Sequence, residues 1–329
     1  MKRHSISWTS ALLALIFLAL DVPAQNIRRI SQAEGLTNSS VLDLCQDSDG
    51  IVWIGACDGV SVYYGQQVHP VIFENDKDLK GQLIEQLLLT KDEDIWARTD
   101  YGLSRARKAE GILHEYPQFP GAYQIALSGR NDIVVLDNSN EFYFYDSETD
   151  RFVPMEIKQR SVKEPIGFGC TEHYLWMAGE EGIYRYVWNP TPSNEKIVLE
   201  NSELLTREPM QYCILSDDGE PFLTDTGGNL LHLDVNAGRL ALTVNIGAEM
   251  FERGKVTGIV ERAGSMLISF LSKGILRYTR GEDGKWSYED LGLGVGVFHI
   301  QKDVAQNLIW IATDGIGIIQ YWMMPIPSV

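Results

Sequence analysis

The chain has 329 residues, 44% hydrophobic and 22% charged, with a formal net charge of −17. That mixture supports a packed core and excludes disordered and collagen-like chains. An acidic surface is repelled by phosphate backbones, so nucleic acid is not expected as a partner.

From the N-terminus, Lys2, Arg3 and His4 precede an apolar run from Ala11 to Leu20, and Val22-Pro23-Ala24 supplies small residues before Gln25. This is the pattern of a secretory signal peptide, so residues 1–24 are expected to be cut away and the remainder exported. The apolar run is well short of the roughly 20 residues that a spanning helix needs. No Cys stands at the cut to take a lipid, and no later segment is apolar and long enough to cross a bilayer.

The rest of the sequence repeats. Asp47-Ser48-Asp49-Gly50-Ile51-Val52-Trp53-Ile54-Gly55 is followed by Gly59, six residues after the Trp. The frame returns at Trp96 with Gly102, at Trp176 with Gly182, and at Trp310 with Asp314-Gly315-Ile316-Gly317. Weaker copies put Val134, Phe222 and Ile268 at the Trp position, so successive intervals are 43, 38, 42, 46, 46 and 42 residues. A period of about 40–45 residues with strand-like content predicts propeller blades, here seven.

Each unit reads as four short strands. In the first, Val41–Gln46 is the inner strand and Asp47–Gly50 a tight turn, since Asp and Gly tolerate left-handed backbone angles. Ile51–Gly55 and Val60–Tyr63 follow, with Pro70–Phe73 expected as the outer strand. The repeated Trp is expected to pack in the wedge between neighbouring blades, burying area that one sheet cannot bury alone. The seventh unit lacks a fourth strand, whereas Asn26–Ile30 has no unit of its own. The N-terminal strand is therefore expected to complete the last blade and close the ring.

Reactive constellations are missing from the sequence. It has no HExxH, GxSxG, P-loop or Rossmann pattern, and no catalytic role, cofactor or metal is expected. The six His residues are scattered, and Cys45, Cys57, Cys170 and Cys213 lack zinc-like spacing. The cysteines are expected to be buried free thiols.

Ser31-Gln32-Ala33-Glu34-Gly35-Leu36-Thr37-Asn38-Ser39-Ser40-Val41, running into Asp47–Gly59, resembles the two-component regulator propeller repeat. That resemblance implies the periplasmic sensor of a Bacteroidetes-type hybrid two-component system, which detects oligosaccharides and signals through a membrane helix to a histidine kinase. Family sensors usually carry two propellers and a β-sandwich before the membrane. This chain reaches Val329 after one propeller. It is expected to be a truncated sensor, one piece of a split system whose remaining domains lie on another chain, or a propeller used as a binding protein. The alternatives to a sensor are an interaction scaffold in envelope assembly or secretion, and a carbohydrate-active lyase or hydrolase.

In propellers the loops joining second to third strands share a face with the links between blades. Here those loops carry Asp58, Asp100-Tyr101, Asp137-Asn138, Glu180-Glu181, Asp225, Lys273 and Asp314, and the links add Asn38, Tyr123, Arg207 and Arg253. Fork-like polar groups beside aromatic platforms suit sugars. Asp, Asn and Gly are also turn formers. The candidate ligand residues are Asn38, Asp58, Asp100, Tyr101, Tyr123, Arg253 and Asp314.

Overall fold

The computed structural model describes residues 27–75, 77–120, 122–188, 196–262 and 264–323. The expected signal peptide, residues 1–24, lies outside them. Seven antiparallel sheets form the blades of a ring. Blade 1 is Val41–Gln46, Val52–Ala56, Gly59–Tyr64 and Gln67–Pro70, and blade 2 is Ile84–Leu89, Asp94–Thr99, Gly102–Arg107 and Ile112–Tyr116. Blade 3 is Ala122–Leu127, Ile133–Asp137, Phe142–Asp146 and Arg151–Ile157, and blade 4 is Gly167–Cys170, Tyr174–Gly179, Gly182–Val187 and Ser202–Thr206. Blade 5 is Met210–Leu215, Pro221–Asp225, Asn229–Asp234 and Arg239–Asn245, and blade 6 is Val256–Arg262, Ser265–Phe270, Ile275–Arg280 and Trp286–Asp290. Blade 7 takes Val297–Lys302, Leu308–Thr313 and Ile318–Trp322 from the end of the chain and Ile27–Ile30 from its start.

The closure expected from the sequence is formed. Ile27 pairs with Tyr321 and Ile30 with Ile318, antiparallel. Gly317 makes this approach possible: at φ +82° it brings its backbone so close that a Cβ would lie 2.3 Å from the Ile30 carbonyl oxygen. Its N–H donates to the Ser39 carbonyl at 2.8 Å. A side chain there would meet both a forbidden backbone angle and a clash.

The repeated tryptophans are wedge residues. Trp53, Trp96, Trp176 and Trp310 are all buried. Trp53 of blade 1 packs with Ile84, Leu87 and Ile95 of blade 2. Burying such rings removes about 150–250 Å² each from water, which holds adjacent sheets face to face.

Three features depart from the expected elements. The outer strand of blade 1 is Gln67–Pro70, not Pro70–Phe73. Gly65 and Gln66 both take positive φ, 57° and 69°, which makes a two-residue hairpin that pairs Tyr64 directly with Gln67. Phe73 is instead buried between blades 1 and 2. Blade 3 gains a fifth strand, Ile197–Leu199, parallel to its outer edge, before the chain returns to complete blade 4. A short helix, Gly247–Arg253, links blades 5 and 6. The four cysteines are free, with Cys45 buried and the other three partly so. Burial pushes the Cys213 thiol up to about 12 and the Cys170 thiol higher still. Such thiols stay protonated at neutral pH.

Candidate ligand-binding face

The second-to-third-strand loops and the blade links are joined on one face by backbone hydrogen bonds. Gly81 N–H donates to the Asp58 carbonyl at 2.7 Å, Asp100 N–H to Leu83 at 3.2 Å, Ser272 N–H to Arg253 at 3.0 Å and Asp314 N–H to Gly296 at 3.0 Å. The loop of blade 1 is thus pinned to the link that leads into blade 2, and the loops of blades 2, 6 and 7 to the links that lead into those blades themselves.

The structure gathers three of the candidate residues at the seam between blades 7 and 1. Asn38 Oδ1 accepts the Ser40 N–H at 2.8 Å, closing an Asx turn. Ser40 Oγ donates to Asp314 Oδ1 at 3.0 Å across the seam. Cys57, next to Asp58 in sequence, donates its N–H to the Ser40 carbonyl at 3.4 Å; burial, then the Asp58 and Asp314 carboxylates, raise the Cys57 thiol pKa. Asp58 Oδ1 is a buried oxygen with no hydrogen-bond partner among the described residues.

The other candidates stand apart. Asp100 Oδ1 accepts the Leu83 N–H at 2.9 Å, so one oxygen is engaged in turn chemistry. Tyr101 beside it is 70% exposed. Tyr123 sits in the inner strand Ala122–Leu127 of blade 3, at a register shift between Ala122 and Gln124. Arg253 is buried, with Nη1 donating to the Lys273 carbonyl at 3.0 Å and Nη2 to Asp290 Oδ2 at 2.8 Å. Its guanidinium ties the linking helix to blade 6 and faces protein groups. Asp137 and Asp225 each accept two backbone N–H bonds inside their own loops.

A set of polar side chains around the ring axis was not foreseen. In six blades the register shifts at the second residue of the inner strand. After the shift a polar side chain often reaches the next blade. Gln86 Nε2 donates to the Ile125 carbonyl at 3.1 Å, Gln124 Nε2 to Phe168 at 3.4 Å, and Thr257 Oγ1 to Val297 at 2.7 Å. Asp43 Oδ2 accepts the Leu87 N–H at 2.7 Å, and His299 Nδ1 approaches Asp43 Oδ1 at 3.2 Å across the closing seam. Arg98 pairs with Glu85 beside this belt. Desolvation pushes the Asp43 carboxyl up, opposed by His299 and by the Leu87 and Leu44 amides. A signal existed in the sequence: Asp43, Gln86 and Gln124 stand ten residues before the Trp position of their units, and His299 eleven before Trp310.

A cavity of about 370 Å³ lies at blade 3 between Phe142, Met155, Arg160 and Lys196, where Arg160 of the link to blade 4 donates to the Asn140 carbonyl of the second-to-third-strand loop. No helix among the described residues is long and apolar enough to cross a membrane, and no cluster of potential metal ligands occurs among them.

Residues 35–58 match the two component regulator propeller family. No curated protein matches the chain in sequence. Among solved structures, the chain is similar to the extracellular domain assigned to the hybrid two-component system BT4673 of B. thetaiotaomicron, at 15% identity and TM-score 0.65, covering 92% of this chain and 40% of that one. It is similar to the corresponding domain of BT3049 at 16% identity and TM-score 0.62, covering 89% of this chain and 41% of that one. The chain therefore spans about two fifths of the length of these extracellular domains. It is also similar to virginiamycin B lyase from Staphylococcus aureus, at 14% identity and TM-score 0.62, covering 91% of this chain and 99% of that one. At such identities these likenesses describe the ring, whereas residues 35–58 of the first blade carry the match to the two component regulator propeller repeat.

Proposed function

We propose that this chain is an exported, non-catalytic sensory propeller that binds oligosaccharides on the face bearing Asp58, Asp100, Tyr101 and Asp314. The observation that carries the reading is the regulator-propeller match at residues 35–58, set in a ring similar to extracellular domains of hybrid two-component systems. The chemistry of the face supports it. An exposed tyrosine ring offers a platform for a sugar. Asn38 and Asp314 brace the seam between blades 7 and 1, Tyr123 stands on the inner strand of blade 3, and Arg253 acts by fixing the link between blades 5 and 6.

Calorimetry of residues 25–329 against a panel of plant and host oligosaccharides tests the reading. Binding of at least one glycan, weakened in Tyr101→Ala, is the expected outcome. Silence across the panel, or turnover of a polysaccharide by the purified chain, would overturn it.

A second reading, a protein-interaction scaffold, is favoured by apolar side chains in the links of this face. Ile72 is 85% exposed and Phe251, on the helix between blades 5 and 6, is 96% exposed. Recovery of a defined envelope protein that Phe251→Ser releases, with no glycan bound, would favour this reading over the first.

A further inference from the structure

The first two wedges of the ring differ in one respect that the repeat makes exact to the residue. Between blades 1 and 2 the ammonium of Lys108 is enclosed by Asp47 Oδ2 at 2.7 Å, Asp49 Oδ2 at 2.9 Å and Glu93 Oε2 at 3.2 Å. Asp47 also accepts the Trp53 indole N–H at 3.1 Å. In the next wedge the equivalent positions are Thr90 for Asp47, Asp92 for Asp49, Asn131 for Glu93 and Ser147 for Lys108. The equivalence is fixed by geometry: Thr90 N–H closes its turn onto Asp94 as Asp47 N–H does onto Ile51, and Glu93 and Asn131 both take positive φ. All four equivalents line one cavity of about 120 Å³ between blades 2 and 3. The short Ser147 leaves open the space that a lysine fills next door.

The polar groups around the cavity are incompletely paired. Trp96 is only 1% exposed and lines the cavity, yet its indole N–H has no acceptor among the described residues, because Thr90 stands where blades 1 and 7 supply Asp47 and Asp303. Asp94 Oδ2 accepts from Arg105 Nε at 2.9 Å, and Asp92 Oδ2 from Asn131 Nδ2 at 2.9 Å, and the Oδ1 atoms of both have no side-chain donor among the described residues. Arg105 is engaged by Asp94 and Tyr145, and Arg130 stacks on Trp188 and faces Asp132 at 3.6 Å.

An occupant must therefore accept from an indole N–H and donate to carboxylates. An ammonium group cannot accept, and an anion would face three carboxylates, Asp92, Asp94 and Asp132, against two guanidiniums. A hydroxyl does both. We propose that this cavity, on the face opposite the one discussed above, is a binding site for a small compound with neighbouring hydroxyls. At this volume it holds a polyol or a single sugar unit, being smaller than the roughly 300 Å³ at which drug-sized pockets begin.

Saturation-transfer NMR of residues 25–329 with glycerol, glucose and glucuronate tests the site and separates a polyol from a sugar ring. Glycerol or glucose gives transfer, and glucuronate binds at least tenfold more weakly. Ser147→Lys, which installs the blade 2 plug, abolishes the transfer while leaving Tm at or above that of the parent chain. Thr90→Asp, which hands Trp96 an internal acceptor, weakens it at least fivefold and serves as the second variant should Ser147→Lys fail to fold. No transfer from glycerol or glucose, or unchanged transfer in both variants, would overturn the proposal. Loss of glucose transfer in Tyr101→Ala alone would assign that binding to the opposite face.

Discussion

The Asp43 carboxylate of blade 1 accepts the Leu87 amide of blade 2 at 2.7 Å, and its other oxygen meets His299 of blade 7 at 3.2 Å. One side chain of blade 1 thus joins both neighbouring blades, including blade 7, in which the ring closes. Hydrogen bonds to a charged group contribute about 1.5–3 kcal/mol each when they are buried. Burial also raises the carboxyl pKa, which opposes that gain. A raised folded pKa means that the folded state holds its proton more tightly than the unfolded chain. The contribution of Asp43 to stability then falls as pH rises from about 4 through the raised value.

Asp43→Asn removes that titration. Between about pH 4 and pH 7 the parent chain is expected to lose stability relative to the Asn variant as pH rises, starting from the unperturbed carboxylate value. Denaturant melts of both proteins across this range check it. Parallel pH profiles would show that Asp43 keeps an ordinary pKa.

The tryptophans give a prediction about polar pairing inside the wedge. Trp53 and Trp310 donate to Asp47 and Asp303 at 3.1 and 2.9 Å, whereas Trp96 has no such acceptor among the described residues. Phe replacement removes similar ring area at each position. Trp53→Phe should therefore cost about 1–2 kcal/mol more than Trp96→Phe, since it also deprives a buried carboxylate of a donor. Urea melts at neutral pH measure the difference.

The architecture was legible because it rests on periodic, local signals. The Trp positions, the Asp-Gly turns and the spare N-terminal strand each report a requirement that every blade must meet. Non-repeating elements left no such trace. Ile197–Leu199 becomes a strand only because the outer edge of blade 3 is open to it, a tertiary fact with no local counterpart. The site was less legible for a related reason. Asp58 and Asp100 occupy positions where turn chemistry and ligand chemistry call for the same residue types. Arg253 read as a candidate ligand residue in a link between blades, yet its reach to Asp290, 37 residues away, depends on a helix that the sequence did not announce. The axial polar belt was present in the spacing from each Trp, but its residues sit within otherwise apolar strands.

Ring closure can be broken at Ile30, which is fully buried against the last blade. Ile30→Asp places an unpaired carboxylate there and is expected to cost about 3–5 kcal/mol. Arg29→Asp, on the exposed face of the same strand, should stay within about 0.5 kcal/mol of the parent. Thermal melts with limited proteolysis of the N-terminal strand check both. Equal effects would mean that the strand is held by backbone pairing alone.

The two rim residues Tyr101 and Arg253 should separate binding from structure. Tyr101 is 70% exposed and packs little of its ring, so Tyr101→Ala is expected to leave Tm within about 2 °C of the parent, as surface changes do. Its glycan affinity should fall by about tenfold or more, the loss expected when an aromatic platform worth roughly 1–1.5 kcal/mol or more is removed. Arg253→Ala breaks a buried pairing to Asp290 and a bond to the Lys273 carbonyl. It should destabilise the chain by about 2–4 kcal/mol, and Asp290→Ala by less because that carboxylate is partly exposed. Side-by-side melts and calorimetry check the split. A Tyr101→Ala variant with full affinity would move the sugar site elsewhere on the ring, and an Arg253→Ala variant that melts normally while losing ligand would return the guanidinium to the binding surface.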